Sequence, residues 1–314
     1  MANFISCDWG TSSFRLRLTD ATSLQVLAET RSAQGIATTY AWWKEEAAPD
    51  RMAFYTHVLL QQIDLLEKKY GSSLKGLTIV LSGMASASIG MMELPYKTIP
   101  YQLYNAPLEI KKIPPAGDCT HTILLVSGAC TSNDVMRGEE TILAGCLHTE
   151  TGAEQLYIFP GTHSKQVVVQ GGFVKDTRTY MTGELFDLLC NKSILTNSIQ
   201  AHDGSLNKEA FLKGVKESQA SNILSSIFHV RTNQLFNKAT KEENYHYLSG
   251  LLIGEELKNI PACNYAFVTV VSTGMLAALY SEALCAIGLK EKLLQQNSDE
   301  ALTRGQAFIF SQYQ

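Results

Sequence analysis

The sequence has no apolar run of the ~18 residues that a membrane-crossing helix needs, no CxxC pair, no HxxxH spacing and no basic cluster. Each absence closes off a class of protein. Without the apolar run no membrane partner is expected, and with no charged-then-apolar leader ahead of the first strand the expected location is the cytoplasm. The seven cysteines, at 7, 119, 130, 146, 190, 263 and 285, are odd in number and scattered. They read as buried thiols in a reducing compartment rather than a disulfide framework, and the seven histidines share no ligand spacing that would suit a structural zinc. Lys and Arg number 26 against 30 Asp and Glu, giving a net charge of −4 and a pI near 6.0, so no nucleic-acid footprint is present. Lys68-Lys69 and Lys111-Lys112 read as solvated faces. Low-complexity tracts are missing too, as is any repeat with a period of roughly 20–50 residues.

One short pattern does occur twice. A strand, a glycine turn and a second strand run through Ile5–Leu18, with Asp8, Gly10, Thr11, Ser12, Ser13 and Arg15. The same order returns in Leu156–Val169, with Pro160, Gly161, Thr162, His163, Ser164 and Lys165. The shared Gly-Thr-x-Ser reads as a phosphate cradle: glycine lets the backbone approach an anion, while amide N–H groups and two hydroxyls point into the concavity. Two such hairpins facing each other can clamp a triphosphate. The first adds Asp8, suited to Mg²⁺, and Arg15, suited to a transferring phosphoryl group. The second has Phe159 at the Asp8 position, so the two copies differ in role.

A chain of 314 residues predicts about two domains. Strand and helix signals alternate, which indicates an α/β class. After the first hairpin come a strand near Val26–Thr30, a helix over Met52–Tyr70 and the buried strand Leu77–Leu81, ending in Ser82-Gly83-Met84. Met91–Pro115 reads as a packed loop region with short strands, followed by the strand Thr122–Val126 and a helix from Gly138 through Leu147. The second half offers a helix at Gly183–Cys190, a polar helical stretch over 207–229, a helix over 242–258, the strand Ala266–Val271, the helix Met275–Ile287 and a last helix over 299–312. The division is expected near 135, giving an N-terminal domain of 1–135 and a C-terminal domain of 136–314.

In this order the parts resemble the actin and hexokinase superfamily. Within it the chain is similar to the 2-dehydro-3-deoxygalactonokinase family, on Asp8-Trp-Gly10, Gly83-Met84 with Pro95-Tyr96, Val135–Thr141, Pro160–Lys165, Met181–Phe186 and Leu248–Gly254. One departure is Gln166, where an aromatic residue is expected after Lys165. The resemblance implies two ribonuclease-H-like domains facing an ATP cleft, with connecting helices near Arg137–Gly145 and Gly305–Phe308 and an adenosine turn at Ser272-Thr273-Gly274. It also implies transfer of the γ-phosphoryl group of ATP, with Mg²⁺, to the 6-hydroxyl of 2-dehydro-3-deoxy-D-galactonate in galactonate breakdown.

The expected cofactor contacts are Gly10, Thr11, Ser12, Gly161, Thr162, Ser164, Lys165, Thr182, Gly183, Thr273 and Gly274, with Asp8 for the metal and Arg15 for the phosphates. Arg17 shares a strand face with Arg15, and one of the two could be a solvent-facing charge. Thr182 could instead cap its helix, Lys165 could be a surface charge, and a turn histidine such as His163 more often makes one structural hydrogen bond than acts as a base. The sugar acid is expected near Ser82, Gly83, Met84 and Ser88, with Arg137 for its carboxylate and Glu139 as the base that takes the hydroxyl proton. Glu139 and Glu140 point about 100° apart on a helix and could both be first-turn charges. Asp134 stands in reserve as a base. The partner is a small-molecule sugar acid, with a homodimer among the open oligomeric states. A kinase for another sugar acid or a polyol is the neighbouring reading, and a non-catalytic nucleotide switch the more distant one.

Overall fold

The computed structural model describes residues 2–103, 108–149, 151–201, 206–260 and 264–313; Cys263 and part of the Met91–Pro115 stretch lie outside the described residues. By contacts the chain forms two compact units, one of residues 1–150, 172–177 and 298–314, the other of 151–171 and 178–297. The short helix after residue 138 and the last helix therefore count with the first unit.

The first unit contains β1 (Asn3–Trp9), β2 (Phe14–Asp20), β3 (Val26–Ser32), α1 (Ile36–Glu45), α2 (Arg51–Tyr70), β4 (Ile79–Gly83), β5 (Lys97–Thr98), β6 (Tyr101–Gln102), β7 (Ile110–Ile113), β8 (Ile123–Val126), β9 (Ala129–Cys130), β10 (Val135–Met136) and α3 (Glu139–Ala144). Its main sheet runs β3-β2-β1-β4-β8-β7. The hairpin β1/β2 is antiparallel, with Asp8 opposite Arg15, while β4 lies parallel to β1 and β8 parallel to β4. β1 is buried along most of its length because both faces are covered. Ile5, Cys7 and Trp9 point to one side, into a core with Tyr55, Leu59 and Ile63 of α2. Phe4 points to the other, where its ring stacks on Phe310 at 5.0 Å. α2 is set by its ends: Asp50 accepts from the Ala53 N–H at 3.0 Å, and Gly71 closes the helix at φ 82°.

The second unit holds β11 (Gln155–Phe159), β12 (Ser164–Gln170), α4 (Thr182–Lys192), α5 (Lys208–Ala220), α6 (Ile223–Leu235), α7 (Lys241–Leu257), β14 (Phe267–Val271), α8 (Gly274–Ala286) and β15 (Leu293–Gln296). The residues of β13 (Phe173–Tyr180) are shared between the units, and α9 (Ser298–Ser311) belongs to the first. Here too an antiparallel hairpin, β11/β12, has a parallel strand beside its first arm, β14, and another beyond it, β15. The duplication in sequence is thus a duplication of topology. Leu156, Ile158, Val268 and Val270 of this sheet pack with Phe211 of α5, Ile253 of α7 and Tyr280 of α8.

Several elements differ from the sequence reading. The polar stretch over 207–229 is two helices, because Asn222 accepts from the Leu224 N–H and starts a new helix after Ser221. α3 stops at Ala144, three residues short of Leu147: Gly145 lies against the backbone of Ala301, and Gly305 against that of Thr141, so α3 and α9 cross through two glycines where any side chain would clash. α1 was not anticipated. It starts on Gly35 with no side-chain cap, and five of its ten residues are Thr, Tyr or Trp, middling helix formers. β15 is a four-residue strand with two glutamines and carries no alternating signal. Of the thiols, Cys7, Cys119 and Cys146 are buried, while Cys130, Cys190 and Cys285 are only partly so.

Candidate active site

In the first unit the turn of the β1/β2 hairpin is held by the Gly10 N–H donating to the Ser13 carbonyl at 2.9 Å, and Thr11, Ser12 and Ser13 are exposed. Asp8 and Arg15, paired across the hairpin, form a salt bridge at 2.9 Å. The Arg15 guanidinium also meets Asp299 at the start of α9. Arg17 shares Asp299, at 3.0 Å, and holds Glu29 at 2.5 Å; its side chain is 5% exposed, so it is no solvent-facing charge. Burial alone would raise the Asp299 carboxyl, but Arg15 and Arg17 outweigh it and hold it below the ordinary range. Neither Asp299 nor Glu29 stood out in the sequence. The only signal was an acid in the first turn of the last helix, a position that the helix dipole alone favours.

The region around α3 gathers the acid-binding candidates. Gly138, at φ 111°, approaches the backbone of Gly83, so the end of β4 and the start of α3 meet without an intervening side chain. Arg137 donates to the Ser86 carbonyl at 2.6 Å and to its hydroxyl at 2.5 Å, and its guanidinium lies 4.2 Å from the centre of the Tyr96 ring. Glu139 is half-buried and accepts from the Arg137 N–H at 3.0 Å. Glu140 is buried at 1% exposure and accepts from the Gly138 N–H at 2.7 Å. Burial, and then the charge of Glu139, push the Glu140 carboxyl up to about 7. Ser82 is buried and accepts from the amide of Gln306, which also donates to the Cys7 carbonyl. Met84 is half-buried, and Ser88 is exposed with its carbonyl held by Arg51. Asp134 lies in a tight turn with Thr131.

In the second unit the Gly161–Ser164 turn is strapped to the start of α4. The Glu184 N–H donates to the Thr162 carbonyl at 3.0 Å, and the His163 ring pairs with the Glu184 carboxylate at 2.5 Å, a structural bond of the expected kind. A Cβ on Gly183 would stand 2.6 Å from the Gly161 carbonyl oxygen, so only glycine admits this approach. The hydroxyl geometry departs from the sequence reading. Thr162 is exposed, but Ser164 is fully buried and its hydroxyl donates to Glu256 at 2.7 Å rather than into a cradle. Thr182 is the first residue of its helix, not the cap, and its hydroxyl also goes to Glu256, at 2.5 Å. Lys165 is 7% exposed, hence no surface charge, and its amine reaches the His163 carbonyl at 3.4 Å.

Beside this turn lies a mostly apolar cavity of about 250 Å³. Gly161, Thr182 and Gly183 form one end, with Phe186 and Tyr245 along the side. Met275, Leu276 and Tyr280 come from α8, which opens at Thr273 and Gly274, the latter at φ 61°. Among the described residues no group of three or more His, Cys, Asp or Glu is arranged to hold a metal by itself, and no helix is long and apolar enough to cross a membrane.

Two sheets, each built on a glycine-turn hairpin with parallel strands beside its first arm, define an actin- and hexokinase-type ATPase fold. The family model for 2-keto-3-deoxy-galactonokinase matches residues 8–309. The chain is 32% identical over 311 residues to the probable 2-dehydro-3-deoxygalactonokinase of Rhizobium meliloti (strain 1021), covering 96% of this chain and 94% of that protein. It is 33% identical over 218 residues to the 2-dehydro-3-deoxygalactonokinase of Escherichia coli (strain K12), covering 67% of this chain and 71% of the other. A candidate 2-dehydro-3-deoxygalactonokinase from Sinorhizobium meliloti, solved as a crystal structure, superposes with a TM-score of 0.83 at 30% identity over 99% of both chains. The activator of 2-hydroxyisocaproyl-CoA dehydratase from Clostridium difficile, solved with bound ADPNP, shares the fold alone, at a TM-score of 0.50 and 12% identity over 99% of this chain and 95% of that one. The chain belongs to the 2-keto-3-deoxy-galactonokinase family and is a sugar-acid kinase.

Proposed function

We propose that the protein transfers the γ-phosphoryl group of ATP to the 6-hydroxyl of 2-dehydro-3-deoxy-D-galactonate, acting in the cytoplasm. The observation that carries the nucleotide half is the glycine-mediated seat of α4 on the Gly161–Ser164 turn at the end of an apolar cavity. Adenosine fits the cavity near Thr273 and Gly274. The N–H groups of Gly161, Thr162, Ser164, Thr182 and Gly183 suit the phosphates, Ser164 and Thr182 by their backbones because their hydroxyls are engaged elsewhere. Lys165 adds a positive charge behind the turn.

The first unit supplies the charged groups. Asp8 is a half-buried carboxylate suited to Mg²⁺ through water, and Thr11 and Ser12 expose their hydroxyls at the turn that Gly10 shapes, its own N–H and carbonyl being taken up by Ser13 and Ile36. When bound, Mg²⁺ would neutralise charge on the phosphates. Arg15 binds transferring oxygens when it exchanges the Asp8 carboxylate for them. Glu139, only half-buried, takes the proton of the attacking hydroxyl, whereas Glu140 is sealed in. The sugar acid lies along Gly83, Met84 and Ser88, with Ser82 supporting that segment from beneath. Arg137, stacked on Tyr96 and anchored to Ser86, receives the carboxylate.

The test is coupled ADP release across a panel of 2-keto-3-deoxy sugar acids and the neutral reduced analogue of the galactonate. At least about tenfold preference for the acid, worth about 1.4 kcal/mol, is expected. Arg137→Lys should raise KM for the acid more than for ATP. Equal kcat/KM for acid and neutral compound would replace this reading with a general sugar or polyol kinase.

A further inference from the structure

Glu256, near the end of α7, is an acid buried to 4% exposure deep in the second unit. It follows Leu248 and Leu252 at four-residue intervals, on the helix stripe that faces the core. Such a carboxylate is costly to bury unless its oxygens are satisfied. Here they are. Ser164 donates to one oxygen at 2.7 Å, and Thr182 and Tyr280 donate to the other at 2.5 and 2.6 Å. The side-chain amide of Gln166 reaches the Glu256 carbonyl at 3.2 Å, so the residue that departs from the family pattern joins the same cluster.

The three donors come from three elements. Ser164 is the first residue of β12, directly after the hairpin turn, Thr182 is the first of α4, and Tyr280 belongs to α8. These same elements wall the cavity, which Gly161, Thr182, Gly183, Met275, Leu276 and Tyr280 line. One acceptor therefore ties the turn, the start of α4 and α8 together, from beneath the Glu184 and Gly183 contacts that seat α4 on the turn.

Resting on the assignment of ATP to this unit, we infer that Glu256 is a positioning residue for the nucleotide: it touches no substrate, and it fixes the spacing of the N–H donors through the hydroxyls of Ser164 and Thr182. A neutral amide of the same shape is a poorer partner: its oxygen can accept on one side only, and hydroxyls facing its NH₂ must turn round to accept. Burial raises the Glu256 carboxyl and the hydroxyls and Gln166 oppose that rise, which fits an acceptor held by its donors.

The test measures ATP binding directly and both KM values in coupled turnover, for wild type, Glu256→Gln, Thr182→Val and the double variant. Glu256→Gln is expected to raise Kd and KM for ATP about tenfold while KM for the sugar acid stays within about twofold. Thr182→Val should weaken ATP on its own yet add nothing in the Glu256→Gln background, since the hydroxyl acts through that carboxylate. Tyr280→Phe, which keeps the cavity wall and removes one donor, serves if Glu256→Gln does not fold, and should weaken ATP about threefold with the acid unaffected. Variants that lower Tm but leave ATP affinity unchanged, or that weaken both substrates equally, overturn the inference while the nucleotide assignment stands. Wild-type protein that binds ATP without slowing hydrogen exchange at Gly161–Ser164 removes that assignment and the inference with it.

Discussion

The two hairpins share a backbone plan and almost nothing of its use. In both, the residue two before the turn glycine opposes a cation on the return strand: Asp8 opposite Arg15, and Phe159 opposite Lys165. The first pair is a salt bridge extended by Asp299, Arg17 and Glu29, and its turn hydroxyls are exposed. The second has an apolar ring in place of the acid, buries its serine on Glu256 and is locked to a helix start by a glycine. Charge governs the first copy and shape the second. A phosphate turn needs only backbone N–H groups, so on the proposed assignment one copy can carry metal and transfer groups while the other keeps to binding.

Asp8→Ala attacks the charged copy at its centre and should cause the largest loss. Turnover is expected to fall by roughly 10³-fold or more, with thermal unfolding nearly unchanged because Asp8 is partly exposed and Arg15 keeps Asp299. Near wild-type turnover at saturating Mg²⁺ would end the metal assignment and, with it, the contrast. Glu139→Gln should lower kcat by about 10²-fold with ATP affinity kept, and Glu140→Gln much less. A reversed ranking in single-turnover measurements would move the base to Glu140.

Gly183→Ala probes the shaped copy. Its methyl would meet the Gly161 carbonyl, so α4 must shift; overpacking of this kind costs about 1–3 kcal/mol. KM for ATP should rise about tenfold with kcat little changed, and an unchanged KM would show that the turn tolerates a loose helix. The smallest effect concerns Glu140. Its carboxyl titrates near 7 in the folded protein against an ordinary 4.5, so the native state binds the proton more tightly than the unfolded chain. Stability is fully present below about 4.5 and declines as pH rises towards 7. The wild-type Tm should therefore fall between pH 5 and 7.5 relative to that of Glu140→Gln, and parallel curves would contradict the burial argument.

Much of this was legible because it is local. A glycine turn between two apolar runs names a hairpin wherever it lies, and Asp8 and Arg15 stand out as charged groups beside that turn, although their pairing with each other appears only in the structure. Arg17 was harder. Its strand face could be read, but one of the acids that bury it lies across the sheet on β3 and the other on α9, at the far end of the chain. Glu256 left a trace, an acid in the register of Leu248 and Leu252, yet nothing in sequence says which hydroxyls will meet it. At Ser164 the Gly-Thr-x-Ser repeat misled for the same reason: sequence lists a hydroxyl, whereas its direction depends on what is packed behind the strand. α1 escaped because it lacks a cap signal and half of it is middling formers, so its place depends on Ile36 and Trp43 joining the core that α2 shares.

The amide of Gln306 on the carbonyl of Cys7, together with the glycine crossing of α3 and α9, imposes an order on biosynthesis. Residues that close the first unit are made only after the whole of 151–297 has been synthesised. Until then β1 lacks the helix that covers Phe4, and its apolar face is open to chaperones or to other nascent chains. The first unit begins synthesis first and matures last, so a variant that slows folding of the second unit should lower yield through aggregation of the first.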